Sequence, residues 1–328
     1  MLATIGNTPL VELRNMFRPR GPRVFAKLER FNPGGSIKDR SALSMLLGKI
    51  RAGELVPGKS VVIESSSGNL AIGIAQICGY FGLRFICVVD AKTTAQNVGI
   101  LRAYQATVDM VTEPDPETGE YLPMRLRRVR ELIAATPHSF WPNQYANLLN
   151  ARAHEQTMAE IVGAVRGGVD YLFCATSTTG TLRGCADYAR RHGLPVRIIA
   201  VDGVGSAVFG QPSRPRLIPG YGASIVPDLL DPDAAAEVVH VTDLECVVGC
   251  RRLITREAIL AGGSSGAVVA ALERRYAGMP PDATCALIFA DGGDRYLDTI
   301  YSDEWVSKCF GEVSHLWKDR STAGASPC

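Results

Sequence analysis

Short apolar runs rich in β-branched residues alternate with longer amphipathic segments along most of this chain. One such unit runs from an apolar stretch at 61–64, through an amphipathic stretch at 70–80, to a second apolar stretch at 84–89. Further apolar runs lie at 108–112, 171–174, 196–201 and 285–290, each next to a helical candidate. Short strands joined by helices are typical of βαβ units, so the pattern predicts an α/β fold with doubly wound, mostly parallel sheets.

The length of the chain favours two such domains. A domain of this class holds roughly 100–200 residues, and the chain has 328. The periodic pattern is lost from about Gly311, and the sequence ends in small and polar residues. We therefore expect the tail at 311–328 to be frayed.

Composition excludes several classes of partner. The chain carries 35 basic and 33 acidic residues, a net charge of +2, so we expect neither nucleic acid nor a membrane surface as a partner. No stretch approaches the ~18 apolar residues of a membrane span, and the N-terminal residues lack a signal-peptide pattern. These features predict a cytoplasmic protein.

The nine cysteines predict reduced, buried thiols rather than disulfides or a metal site. Their number is odd, and most of them lie in apolar stretches. Cys246 and Cys250 are spaced more widely than a Cys-x-x-Cys pair, and no second pair of Cys or His lies nearby. We expect no metal.

Three polar segments follow predicted strands, where parallel sheets bind ligands. They lie at 65–69, 176–181 and 291–294. The segment at 176–181 opens a predicted helix, so its amides and hydroxyls could hold a phosphate, and the segment at 66–69 suits a carboxylate or a phosphate. Helix capping without any ligand explains either of these two segments equally well.

The segment at 32–40 contains the most unusual backbone. Its sequence, NPGGSIKDR, places a proline and two glycines directly before Lys38, where a helical pattern begins. A lysine held in this way could form a Schiff base with a carbonyl group. The spacing alone favours an ordinary surface lysine.

Four motifs occur in the order found in the cysteine synthase and cystathionine β-synthase family. They are IGNTPLV at 5–11, FNPGGSIKDR at 31–40, SSGN at 66–69 and GGSSGA at 262–267. From about 5 to 297 the chain resembles fold-type II pyridoxal-phosphate enzymes, whose fold is like that of the tryptophan synthase β-subunit. The resemblance implies pyridoxal 5'-phosphate as cofactor, a smaller, mobile substrate-binding domain at 42–147, and a larger cofactor-binding domain formed by 1–41 and 148–310.

The resemblance also implies a role for each matching residue. Lys38 would hold the cofactor as a Schiff base, Asn69 would bond its phenolic oxygen, and Ser264 would meet its pyridine nitrogen. A serine at that nitrogen does not enforce a protonated ring, which suits β-elimination better than transamination. The residues implied for the cofactor phosphate are Ser177, Thr178, Thr179, Gly180 and Thr181. The residues implied for the substrate carboxylate are Ser66, Ser67, Gly68, Asn69 and Gln144.

Departures from the family pattern concern the substrate. Leu70 and Ala71 replace a Thr-Gly pair, and the loop from Ser177 replaces a glycine-rich phosphate loop. These departures, with the segment at 222–227, resemble the subgroup that makes N-(2-amino-2-carboxyethyl)-L-glutamate from O-phospho-L-serine and L-glutamate. That product is a precursor of 2,3-diaminopropionate in siderophore and peptide-antibiotic biosynthesis. The resemblance thus implies a β-replacement synthase, a transferase acting on small amino acids as a cytoplasmic homodimer.

A second acidic substrate requires a second cationic contact. Arg125 is our candidate, because a guanidinium binds a carboxylate bidentately, and Tyr145 is its companion beside Gln144. A solvated helix face within 125–130 explains Arg125 equally well.

Three other functions fit the motifs. A cysteine synthase that uses O-acetylserine or O-phosphoserine with sulfide needs no pocket for a second amino acid. For a cystathionine-forming enzyme we would expect a regulatory domain or a haem-binding extension. The third is a catalytically silent binding or scaffold protein of the family, against which the intact Lys38 and Ser264 argue.

Overall fold

A computed structural model describes residues 1–17, 21–117 and 119–318. The strands in this part of the chain are β1 (Leu10–Glu12), β2 (Arg23–Leu28), β3 (Val61–Ser65), β4 (Arg84–Asp90), β5 (Thr107–Val111), β6 (Ser139–Phe140), β7 (Tyr171–Ala175), β8 (Arg197–Gly203), β9 (Glu237–Val241) and β10 (Thr284–Phe289).

The α-helices are α1 (Lys38–Arg51), α2 (Asn69–Phe81), α3 (Ala95–Ala103), α4 (Tyr121–Ala135), α5 (Leu148–Ala164), α6 (Gly180–Arg191), α7 (Asp243–Glu257), α8 (Gly263–Tyr276) and α9 (Asp303–Phe310). Short 3-10 helices lie at Leu2–Thr4, Glu29–Phe31, Pro232–Ala234, Gly293–Tyr296 and Ser314–Leu316.

The strands form two sheets. The larger sheet has the order β1-β2-β10-β7-β8-β9, and the smaller has the order β5-β4-β3-β6. β1 pairs antiparallel with β2, and the other pairings between these strands are parallel. The prediction of an α/β fold with mostly parallel sheets is confirmed.

Helices cover both faces of the larger sheet. On β7, Phe173 faces the core that contains α7 and α8, whereas Leu172 and Cys174 face the core that contains α5 and α6. Because both faces of a strand are buried, its sequence is a continuous apolar run rather than an alternating one. This burial explains why the central strands were recognisable from the sequence.

The smaller sheet is covered in the same way. Val62 of β3 packs with residues of α1 and α2, and its neighbours Val61 and Ile63 pack against Val129 of α4. The smaller sheet therefore has a hydrophobic core on each face. The predicted domain boundaries at 41/42 and 147/148 stay a prediction, although all four strands of this sheet lie between them.

Residues 311–318 correct the prediction of a frayed tail. Trp317 is buried in the main core, and Arg252 of α7 donates hydrogen bonds to the carbonyl oxygen of Leu316 at 3.0 and 2.9 Å. The loss of periodicity misled the prediction because one large aromatic side chain is enough to fix this segment. The rest of the predicted tail, 319–328, lies outside the described residues.

The eight cysteines in the described ranges are free, and seven of them are buried. On α7, Cys246 Sγ donates to the carbonyl oxygen of Gly263 at 2.7 Å and Cys250 Sγ donates to that of Gly262 at 3.3 Å. These thiols thus hold the chain where α8 begins. Within 1–17, 21–117 and 119–318, no three His, Cys, Asp or Glu side chains are grouped to hold a metal, and no helix is long and apolar enough to span a membrane.

Candidate active site

Two adjoining cavities lie where the carboxyl ends of β3, β7 and β10 approach the start of α1. The smaller has a volume of about 20 Å³ and the larger about 160 Å³. Lys38, Ser177 and Thr178 line both cavities, so the two form one site with Lys38 between them. This is the position in which parallel sheets bind ligands.

The loop before Lys38 requires its glycines. Gly35 has a φ of 82°, and a Cβ on Gly34 would lie 2.4 Å from Asp39 Oδ1. The Ile37 amide donates to the carbonyl oxygen of Ala290 at 2.8 Å, and the Lys38 amide donates to Ser36 Oγ at 3.2 Å. The loop is therefore tied to the end of β10, and it starts α1 with Lys38 at the cavity.

A buried ionic cluster supports this loop from behind. Arg40 pairs with Glu29 and with Glu160, each at 2.7 Å, and Lys27 also pairs with Glu160 at 2.7 Å. Asn32 donates to Glu29 Oε2 at 2.8 Å, which joins the loop to the cluster. Sequence reasoning missed the cluster, because its members are spread from 27 to 160.

Lys38 is placed to act as a nucleophilic amine. Burial lowers the pKa of its ammonium group, and the nearby Asp291, Cys174 and Glu29 oppose that shift. The neutral form of a lysine is the one that attacks a carbonyl group. The site therefore supports Schiff-base chemistry at Lys38.

The loop between β7 and α6 lines the smaller cavity. Thr179 has a φ of 62° at the N-cap of α6, and its Oγ1 is buried with no hydrogen-bond partner in the described part of the chain. Thr178 Oγ1 accepts from Asn150 Nδ2 at 3.1 Å, which fixes the loop. The first N–H groups of a helix have no partner within it, so this loop can bind a phosphate.

The loop between β3 and α2 forms the opposite wall of the larger cavity. Ser66 Oγ accepts from the amides of Gly68 and Ala71, each at 3.3 Å. Gln144 Nε2 donates to the carbonyl oxygen of Ser65 at 3.2 Å, which places Gln144 beside the loop. Hydroxyl, amide and N–H groups thus converge where a carboxylate could bind.

A hydrogen-bond network at the N-terminus of α2 joins this loop to the end of β10. Asn69 Nδ2 donates to Asp291 Oδ2 at 2.8 Å, Arg295 donates to Asn69 Oδ1, and the Tyr296 hydroxyl donates to Asp291 Oδ2 at 2.7 Å. Arg295 also donates to the carbonyl oxygen of Gly34 at 2.7 Å. The segment at 291–294 was predicted to lie where ligands bind but was given no role, and Arg295 and Tyr296 were not predicted.

Arg125 and Tyr145 lie on the wall formed by the smaller sheet. Arg125, on α4, pairs with Asp90 Oδ2 at 3.2 Å and donates to Ser67 Oγ at 3.3 Å, and its side chain is 12% exposed. Because a guanidinium carries five N–H donors, these contacts leave donors for a ligand. Arg125 therefore lines the cavity instead of lying on a solvated helix face.

Every predicted site residue lines one or both cavities, although the roles assigned to these residues stay predictions. In the smaller cavity they are Lys38, Ser177, Thr178, Thr179, Gly180 and Thr181. In the larger cavity they are Lys38, Ser66, Ser67, Gly68, Asn69, Arg125, Gln144, Tyr145, Ser177, Thr178 and Ser264. A desolvated lysine between the N-terminus of α6 and a buried serine fits the chemistry of pyridoxal phosphate.

Comparisons with known proteins agree with this geometry. The family model of the pyridoxal-phosphate dependent enzymes matches residues 1–291. The N-(2-amino-2-carboxyethyl)-L-glutamate synthase of Cupriavidus metallidurans is 46% identical over 312 residues, covering 94% of this chain and 91% of that protein. The synthase of the same name from Ralstonia nicotianae is 46% identical over 305 residues, covering 93% and 90%. The crystal structure of cysteine synthase from Entamoeba histolytica is similar with a TM-score of 0.84 and 33% identity, covering 92% and 90%.

Proposed function

Because the chain belongs to the family of pyridoxal-phosphate dependent enzymes, we propose that it is a β-replacement synthase that joins O-phospho-L-serine and L-glutamate. The products are N-(2-amino-2-carboxyethyl)-L-glutamate and phosphate. The reaction breaks the Cβ–O bond of phosphoserine and forms a bond between Cβ and the glutamate nitrogen. The observation that carries the proposal is the 46% identity to two synthases of that name over almost the whole chain.

Lys38 and the loop at 177–181 hold the cofactor in this proposal. Pyridoxal phosphate, when bound, supplies an electron sink beside the substrate Cα. Lys38 Nζ binds the cofactor and, once released by the substrate, takes the proton from Cα. The Thr179 hydroxyl, which is buried without a hydrogen-bond partner among the described residues, supports phosphate binding at the start of α6. The buried Ser264, which is 3% exposed, supports a contact with the ring nitrogen.

Two walls of the larger cavity orient the two substrates. The amides and hydroxyls of 66–69, with Gln144, bind the carboxylate of phosphoserine, and Asn69 bonds the phenolic oxygen of the cofactor. Arg125 binds a carboxylate of glutamate, and Tyr145 lies beside it in the same wall. A bidentate guanidinium contact fixes the direction from which the glutamate amine approaches Cβ.

Product analysis tests this proposal. The holoenzyme receives phosphoserine or acetylserine, each with glutamate or sulfide, and the products are identified by mass spectrometry. We expect the phosphoserine–glutamate pair to give the predicted adduct and an equal amount of phosphate. Cysteine as the main product when saturating glutamate competes with sulfide would overturn the proposal.

A second candidate function is cysteine synthesis from O-acetylserine or O-phosphoserine. The similarity to the Entamoeba histolytica cysteine synthase favours it. Arg125 argues against it, because sulfide does not need a guanidinium with donors left for a carboxylate. The competition between glutamate and sulfide decides between the two functions.

The proposed product assigns the enzyme a place in metabolism. It supplies a precursor of 2,3-diaminopropionate for a siderophore or a peptide antibiotic, and we propose that it acts in the cytoplasm as a homodimer. Free thiols at all eight described cysteines support a reducing compartment, and the family resemblance favours the dimer.

A further inference from the structure

Asp291 is a buried carboxyl group in the wall of the larger cavity. It follows β10, shares the cavity with Lys38, and is 4% exposed. Its Oδ2 accepts hydrogen bonds from Asn69 and Tyr296, whereas its Oδ1 is buried without a hydrogen-bond partner among the described residues. Burial raises the pKa of this carboxyl group, and its hydrogen bonds to Tyr296 and Asn69 and the charges of Arg295 and Lys38 oppose the shift. The group is therefore able to carry a proton.

The inference rests on the proposed function, whose protons must be accounted for. The proton that Lys38 Nζ takes from Cα returns to Cα when the new bond forms, so Lys38 ends each cycle as it began. Glutamate arrives as an ammonium ion and must lose a proton before its nitrogen attacks Cβ. The departing phosphate takes the electron pair of the Cβ–O bond and needs a proton. One further group is thus required to give a proton first and to take one later.

Few side chains around the two cavities can do this. In the described part of the cavity walls, the ionisable side chains are Lys38, Arg125, Tyr145, Cys174 and Asp291. An arginine stays charged. Burial raises the pKa of Tyr145 and raises that of Cys174 to about 12, so both keep their protons. Asp291 is the side chain that remains.

We propose that Asp291 is the proton-transfer residue of both halves of the reaction. Its carboxyl group gives a proton to the departing phosphate as the Cβ–O bond breaks, and it becomes a carboxylate. The carboxylate then takes a proton from the ammonium group of glutamate, whose freed electron pair forms the new bond to Cβ. Asp291 ends the cycle protonated, and Cα regains its proton from Lys38 Nζ.

The choice of substrates separates this role from a structural one. Chloride leaves β-chloro-L-alanine without a proton, and hydrosulfide attacks as an anion, so that pair needs no proton transfer by Asp291. Phosphoserine with hydrosulfide needs only the donor step, after which Asp291 regains its proton from water. β-Chloro-L-alanine with glutamate needs only the acceptor step, before which Asp291 must release its proton to water. The test measures steady-state rates of the holoenzyme with all four pairs in wild type and in Asp291→Asn.

We expect Asp291→Asn to lower the rate with phosphoserine and glutamate by about 100-fold or more, the usual size of general acid–base effects, and to leave β-chloro-L-alanine with hydrosulfide within about threefold. Each mixed pair should show an intermediate loss. An equal loss with all four pairs, or no loss with any, would overturn the proposal.

Two further measurements keep the test decisive. Asp202→Asn is the matched control, because Asp202 is also a buried aspartate but lines neither cavity; we expect it to slow no pair selectively. Asp291→Ser leaves room for formate, which should restore phosphoserine turnover but not affect β-chloro-L-alanine with hydrosulfide. A wild type that makes no glutamate adduct would refute the proposed function, while phosphoserine with hydrosulfide would still test Asp291 as the donor.

Discussion

At the scale of single residues, burial sets the chemistry of the cavity. It lowers the pKa of Lys38 and raises that of Asp291, so each shift favours the uncharged form of its group. The two groups interact electrostatically, and Asp291 also accepts hydrogen bonds from Asn69 and Tyr296. Burial thus reduces the tendency of both groups to carry a charge in this cavity.

Lys38→Ala should keep the fold but lose covalent attachment of the cofactor. Because the proposed function makes Lys38 both the anchor of the cofactor and the base at Cα, we expect turnover to fall by about 100- to 10,000-fold. Borohydride reduction followed by peptide mass spectrometry should find the cofactor on the peptide that contains residue 38 in wild type and in the control Lys49→Ala, an exposed position on the same helix. Full activity of Lys38→Ala without added amines would contradict the assignment.

Arg125→Ala should weaken the binding of glutamate much more than the binding of phosphoserine. Loss of one charge-assisted contact costs about 1.5–3 kcal/mol, so we expect the KM for glutamate to rise roughly 10- to 100-fold. Arg128→Ala is the control, since Arg128 lies on the same helix, is 41% exposed and pairs with Asp109. Steady-state kinetics with each substrate varied in turn would show the difference. An unchanged KM for glutamate would show that the second substrate binds elsewhere.

At the scale of secondary-structure elements, close contact between α7 and α8 positions Ser264. A Cβ on Gly249 of α7 would lie 2.3 Å from the carbonyl oxygen of Gly266 in α8, and one on Gly266 would lie 2.1 Å from that of Cys246. The two backbones thus touch where α8 begins, within one turn of Ser264. Only glycine allows this distance between the helices.

Gly249→Ala should therefore force α8 away from α7. Overpacking of this kind costs about 1–3 kcal/mol, and we expect the free energy of unfolding to fall by that amount and cofactor affinity to fall with it. Gly163→Ala in α5 is the matched control, because a Cβ there meets no atom within 4 Å, and it should be neutral or stabilising by about 0.4–1 kcal/mol. Urea unfolding measures both variants. Equal stability of the two would show that the helices can separate without cost.

At the scale of the whole molecule, one buried carboxyl group couples stability to pH. The carboxyl group of Glu64 lies in the core of the smaller sheet, and the residue is 1% exposed. It accepts hydrogen bonds from the Trp141 indole at 3.0 Å and from the amides of Ser65 and Gln144 at 2.8 and 3.3 Å. Burial raises its pKa from 4.5 to about 7, and these donors oppose the shift. The folded protein thus holds a proton that the unfolded chain releases.

The contribution of Glu64 to stability is present below pH 4.5 and is lost as the pH rises through about 7. At 1.36 kcal/mol per pKa unit, it amounts to about 3 kcal/mol. Glu64→Gln should remove this part of the pH dependence, so the difference in unfolding free energy between wild type and variant should change across that range. Denaturation at several pH values measures it, with the exposed Glu54→Gln as control. A constant difference from pH 4 to 8 would show that Glu64 does not titrate there.

The central strands and the loop before Lys38 were predictable because their signals are local. The strands of both sheets that are buried on two faces appear as apolar runs. The partly exposed edge strand β5 was also predicted, as a run at 108–112 that is displaced from it by one residue. Four strands were not recognised: the edge strands β1, β6 and β9, and β2, which lies between β1 and β10. β1 and β6 are too short to show a period, and β2 contains Lys27, whose charge is buried against Glu160.

The sequence by itself determined the fold class, the unusual backbone before Lys38 and the family motifs, because each depends on residues within one segment. The tertiary structure alone decided which segments meet. Asn69 and Asp291 are 222 positions apart and hydrogen-bond across the two sheets, and Arg125 was ambiguous until Asp90 and Ser67 placed it in the cavity wall. The hydrophobic pattern specifies which faces of a strand or helix are buried, but it does not specify which loops those buried faces bring together.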